Sequence, residues 1–103
     1  MKIDNKSFNE WLEKENITYD DNMEEYRTLN GYFSMGVANT SSTTDDELIG
    51  LMVQYLLLMM QVEIIKDDWG CITIYDVGQD EWMGNGNTDL FTALKQAIES
   101  IKE

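Results

Sequence analysis

Residues 44–66 read TDDELIGLMVQYLLLMMQVEIIK, and the fold turns on how far their helical signal extends. Thr44 with Glu47 three residues on makes a capping box, and Asp45 and Asp46 put negative charge where a helix N-terminus favours it. From Leu48 to Ile65 the chain is almost wholly apolar. The exceptions Gly50, Gln54 and Gln61 fall on one stripe, because steps of four and seven residues return to nearly the same angle. This spacing predicts helix at least to Gln61. Leu57 lies on the same stripe between the two glutamines, where the helix is otherwise wettest. A helix this apolar must be covered on most sides, by the rest of a small domain or by another chain.

The 103 residues leave room for one domain, 1–103, with one core. A hydrophobic content of 43%, with 11% aromatic, is that of a chain that folds. Charge is the outlying property: 20 acidic residues against 7 basic give a net charge of −13. Such a surface repels nucleic acid and anionic membranes and attracts basic proteins, so direct DNA or RNA binding is not expected. Cys71 is the single cysteine and can form no internal disulfide, which suits a reducing compartment. The N-terminal MKIDNKSFNEWLEK lacks the apolar core of a signal peptide. The long apolar stretch carries Gln54, Gln61 and Glu63, so it reads as a buried helix rather than a membrane span. The expectation is a soluble cytoplasmic protein.

Working outward from the central stretch, Ser7 and Glu10 form a second capping box ahead of Phe8, Trp11 and Leu12, predicting a short aromatic-docked helix to about Glu15. Residues 16–22 are polar and loop-like, although Ile17 and Tyr19 could be one edge of a strand. Asn30 and Gly31 stand between two β-prone runs, predicting a hairpin with strands near 25–29 and 32–38. Residues 39–43 read as a serine and threonine linker. After the central helix, CITIYDV has the β-branched content of a strand, Gln79 and Asp80 turn the chain, and residues 81–83 can return as a short strand. Thr88 then caps a final helix whose apolar face is Leu90, Phe91, Leu94, Ala97, Ile98 and Ile101. The predicted class is α+β, a single small domain ordered helix, hairpin, helix, hairpin, helix, its antiparallel sheet packed by the long central apolar helix.

No histidine is present, which removes the commonest general base and zinc ligand together. Cys71 has no histidine partner and lies in an apolar strand of an acidic protein, where a thiol is poorly activated. Asp76, Asp80 and Glu81 lie around one turn and could converge as a catalytic carboxylate pair; in so short a chain a solvated acidic rim is the better reading. Asp76, Asp80, Asn85, Asn87 and Asp89 could offer oxygen ligands, but their spacing is not that of an EF-hand. GNGN before a helix resembles a phosphate-cradling loop only in part, lacking a third glycine and a lysine. No catalytic residue, cofactor or metal site is therefore assigned. The acidic clusters Asp20, Asp21, Glu24 and Glu25, then Asp45, Asp46 and Glu47, then Asp67 and Asp68, then Asp76, Asp80 and Glu81 are the candidate partner-binding residues. Each alone serves solubility and helix-dipole compensation; together they could occupy a groove built for phosphates.

Two resemblances follow. The last third, with a strand, a return strand around Trp82, a glycine-rich loop, and Thr88, Leu90, Ala93 and Ala97 opening a closing helix, looks like the C-terminal part of a small phage domain family of α-β-α sandwich type. In size, acidity and want of catalytic residues the chain resembles phage-encoded inhibitors of bacterial defence, including anti-CRISPR proteins that mimic nucleic acid. That likeness implies a stoichiometric blocker of a host nuclease or effector, without a cofactor. The competing expectations are a docking subunit that dimerises through the central helix by way of Leu57 and Met60, and a small carboxylate- or metal-dependent hydrolase.

Overall fold

A computed structural model describes residues 2–102. Helix α1 (Lys6–Lys14) is followed by strands β1 (Ile17–Asp20), β2 (Glu25–Tyr32) and β3 (Ala38–Ser42). Helix α2 (Asp45–Met59) leads to strands β4 (Val62–Lys66), β5 (Ile72–Asp76) and β6 (Glu81–Asn87), and α3 (Leu90–Ser100) closes the chain. The strands form two separate antiparallel three-stranded sheets, ordered β1-β2-β3 and β4-β5-β6. The class is α+β, but each expected hairpin is a three-stranded meander, and two sheets replace the expected one.

The central helix is shorter than its apolar content suggested. It stops at Met59, Met60 is already extended at φ −163°, and residues 62–66 pair with β5 along its whole length. Val62, Ile64 and Ile65 are β-branched, so they lose rotamer freedom in a helix and pack well on a pleated surface. A neighbouring strand thus recruited what helical spacing alone would have continued. In α2 the buried stripe is Leu48, Met52, Tyr55 and Leu56, while Glu47, Gly50, Gln54 and Leu57 face outward as their spacing requires. Thr44 is the N-cap, its hydroxyl accepting from Glu47 N at 3.2 Å.

Other boundaries moved for local reasons. Asn5, not Ser7, caps α1: its Oδ1 accepts from Phe8 N at 2.9 Å while its Nδ2 donates to the Ile98 carbonyl at 2.9 Å. One buried side chain therefore starts the first helix and ties it to the last. Asp89, not Thr88, caps α3. Asn30 and Gly31 lie inside β2 at a bulge rather than in a turn, and the chain reverses at residues 33–37, closed by Phe33 N donating to Val37 O at 2.8 Å. The serine and threonine segment is strand β3, held by Arg27, whose guanidinium donates to the Thr40 carbonyl at 3.0 Å and Ser42 Oγ at 3.1 Å. GNGN belongs to β6.

The helices join these sheets into one core. Ile3, Phe8, Leu12, Ile17 and Tyr26 on the first sheet's side merge through Leu48, Met52, Tyr55 and Leu56 with Ile74, Met83, Ala93, Leu94, Ala97 and Ile98 on the second's. Phe8 meets the Tyr55 ring edge-on at 5.0 Å, and Trp11 packs on Tyr55 at 5.4 Å. α3 lies on β5 and β6, and α2 packs against α3. The body measures 52 × 26 × 19 Å with a radius of gyration of 15.2 Å, longer than the roughly 13 Å of a spherical chain this size. No helix among the described residues is long and apolar enough to cross a membrane.

Candidate interaction surface

The topology sorts the candidate carboxylates into an end of one sheet and two opposite ends of the other. In the first sheet Arg27 pairs with Ser42, and Thr43 N donates to the Tyr26 carbonyl at 2.9 Å, so the end of β3 returns beside the β1–β2 turn. The turn carrying Asp20, Asp21, Glu24 and Glu25 and the α2 N-terminus carrying Asp45, Asp46 and Glu47 therefore share one end of the molecule's first sheet. Seven candidate carboxylates lie at that end, with Arg27 bonded to Glu25 and Lys2 over the neighbouring Tyr19 ring, 6.0 Å from its centroid. Glu25 is not free: its Oε1 accepts from Ser42 Oγ at 2.8 Å and Arg27 at 2.7 Å, which together hold its carboxyl below the usual range. Asp20 Oδ1 receives the amides of Asn22 and Met23, shaping the turn. Asp21, Glu24, Asp45, Asp46 and Glu47 are exposed.

In the second sheet the clusters separate. Asp67 and Asp68 lie in the β4–β5 turn and Asp80 and Glu81 at the β5–β6 turn, at opposite ends of a strand of 5 residues, which is roughly 16 Å. Asp76 departs from its expected role. It is buried at 8% exposure, and its Oδ1 accepts from Gln79 N at 3.2 Å, so it shapes the turn from inside. Asp67 likewise spends its Oδ1 on the amides of Trp69 and Cys71, both at 2.9 Å. Asn87 Oδ1 accepts from Asp89 N, and Asp89 caps α3 by accepting from Thr92 Oγ1 and Thr92 N, which lowers its pKa. Of the oxygen ligands considered from the sequence, Asp76, Asn87 and Asp89 are thus engaged separately, and no group of three metal-ligating side chains converges among the described residues.

The outward face of α2 is an open groove of about 590 Å³, lined by Asp46, Glu47, Gly50, Leu51, Val53, Gln54 and Leu57. Leu57 is 59% exposed, and Leu58 and Met59 are exposed beside it. Met60 differs from the expectation: it is half-buried and packs against the core, because the chain has left the helix there. Met52 is fully buried.

Sequence reasoning missed two apolar surfaces. Between Arg27 and Asp45 no residue is charged, and midway along this stretch lies the β2–β3 turn, where Tyr32, Phe33, Val37 and Met35 are exposed, Met35 at 98% with φ 77°. On the outward face of the second sheet Tyr75 pairs in register with Trp82, ring centroids 4.8 Å apart, and Trp82 is 60% exposed. Strand alternation could have signalled the latter, since Tyr75 is out of phase with the inward Ile74 and Asp76. No protein-family model matches the chain, and comparison with curated proteins and with solved structures likewise finds no match.

Proposed function

We propose that this protein is a non-enzymatic, acidic binding protein that blocks a basic nucleic-acid-handling protein, such as a nuclease or a CRISPR effector of a bacterial host, by offering carboxylates in place of phosphates. The observation that carries this reading is the joining of two acidic clusters at one end of the first sheet. Asp21, Glu24, Asp45, Asp46 and Glu47 are exposed there, and Arg27 is committed to Glu25 and β3. Carboxylates presented in this way steer basic partners at long range and lose that advantage as salt rises. In size and acidity the protein resembles inhibitors carried by phages and mobile elements, which supports this reading without naming the partner. The test is binding to a purified basic nuclease in competition with its DNA. Replacing Asp21, Glu24, Asp45 and Asp46 together by their amides should weaken binding at least tenfold at low salt and abolish protection of the DNA-binding groove; unchanged competition sinks the mimicry.

The α2 groove supports a second reading, a docking subunit that self-associates through Leu57. Leu57→Glu should then convert a dimer to a monomer without unfolding it. A monomer for the unaltered protein across the micromolar range would leave this face to another partner.

A further inference from the structure

The outward face of the second sheet carries the aromatic material that a basic partner would need beyond charge. Glu63, Tyr75 and Trp82 stand in one cross-strand row, and Ile65 and Thr73 form the adjoining pair. Ile74 and Met83, in the alternate phase, are buried on the other side, where α3 lies. Trp82 and Glu63 are exposed, and Trp69, in the turn at one end of the sheet, is 89% exposed. Large aromatic rings left in water on a sheet face are costly as surface and typical of binding centres. The charge around them limits what can cover them. Leaving aside the inward Asp76 and Asp89 at the cap of α3, this sheet and its turns carry Glu63, Asp67, Asp68, Asp80 and Glu81 against Lys66 alone. An anionic partner or a second copy of this chain would bring like charge to this face. A guanidinium fits: it is planar, always cationic, stacks on an indole or phenol face and donates to a carboxylate beside it.

We propose that this face seats an arginine-bearing segment of the partner, a guanidinium lying on Trp82 and Tyr75 and donating to Glu63. The proposal rests on the basic-partner reading above and adds a second contact, at a sheet where the carboxylates themselves do not converge. The probes are two short extended peptides, one with arginine and one with lysine at alternate positions, titrated by calorimetry into the full chain. The arginine peptide should bind more tightly than the lysine peptide. Trp82→Ala should weaken it roughly three- to thirty-fold, the span of cation–π attraction from exposed to desolvated sites. Glu63→Gln should weaken it more than Asp21→Asn, which removes the same charge elsewhere. In the unaltered protein, peptide-induced amide shifts should centre on residues 63–65, 73–75 and 81–83, a readout that does not depend on how any variant folds. Full affinity in Trp82→Ala, or shifts confined to residues 20–25 and 45–47, overturns the aromatic seat while leaving the basic-partner reading in place. Failure of the unaltered protein to bind either peptide at low salt overturns both.

Discussion

At the scale of single residues, Tyr26 fastens the N-terminal segment to the first sheet. Its buried hydroxyl accepts from Ile3 N at 3.0 Å and donates to Asn9 Oδ1 at 2.7 Å. Burial pushes its pKa up to about 12 from an ordinary 10, since the phenolate would be poorly solvated there. The folded state therefore holds this proton more tightly than the unfolded chain. Stability from this group is level below pH 10 and falls as pH rises from 10 toward about 12. Alkaline denaturation followed by circular dichroism should show that limb, and Tyr26→Phe should lose it. At neutral pH the same variant should be less stable by about 1–3 kcal/mol, because a buried amide and an asparagine oxygen lose their partner. An unchanged alkaline limb in Tyr26→Phe would assign it to other groups. Thr44 could be read as a cap from four consecutive residues; Asn5 could not, because half of what selects it is the Ile98 carbonyl, 93 positions away.

At the scale of elements, the contact of α3 with β6 depends on a glycine. Gly84 adopts φ 74°, and a Cβ there would stand 2.8 Å from Gln96 Cβ. Gly84→Ala combines a left-handed backbone with overpacking and should cost about 2–4 kcal/mol. Gly50 is the opposite case, since a Cβ on it meets nothing within 4 Å and the residue is helical. Gly50→Ala should stabilise α2 by about 0.5–1 kcal/mol. Urea midpoints of the two variants should move in opposite directions, and a neutral Gly84→Ala would show that α3 can shift off β6. The helices were legible because amphipathic spacing is a local signal, although of the three expected caps only Thr44 is the one used. β1 showed only as the alternation of Ile17 and Tyr19 within a polar stretch, and β3 and β4 were not legible: β3 is ANTSS, with no apolar alternation, and exists through its backbone bonds to β2 and the reach of Arg27. β4 carries β-branched residues that read as a helical continuation until β5 is beside them.

For the molecule as a whole, a net charge of −13 spread over a 52 Å body opposes its own compactness. Added salt at pH 7 should raise the melting temperature by screening that repulsion. Acid should act in two stages. Glu25 and Asp89 have lowered pKa values, from hydrogen bonds first to Ser42 and Arg27 and to Thr92 respectively, so their contribution is present above the ordinary carboxylate range and is lost as pH falls through their folded values. From pH 7 to 5 stability should hold or rise as net charge shrinks, then decline below about 4.5, the ordinary value for Glu25. A steep loss between pH 7 and 5 would show that paired carboxylates outweigh repulsion.

The amino-acid sequence by itself determined the α+β class, a single core-forming chain, the start of the central helix, its outward stripe through Leu57 and an acidic surface, because each of these is carried by composition or by residues within a turn or two of one another. Where α2 stops, how many sheets form, which carboxylates share an end and which, like Asp76, turn inward were decided only by tertiary structure. Those outcomes depend on strand pairing between distant segments, and a residue's free energy in a sheet is set by the neighbours it is given rather than by its own spacing.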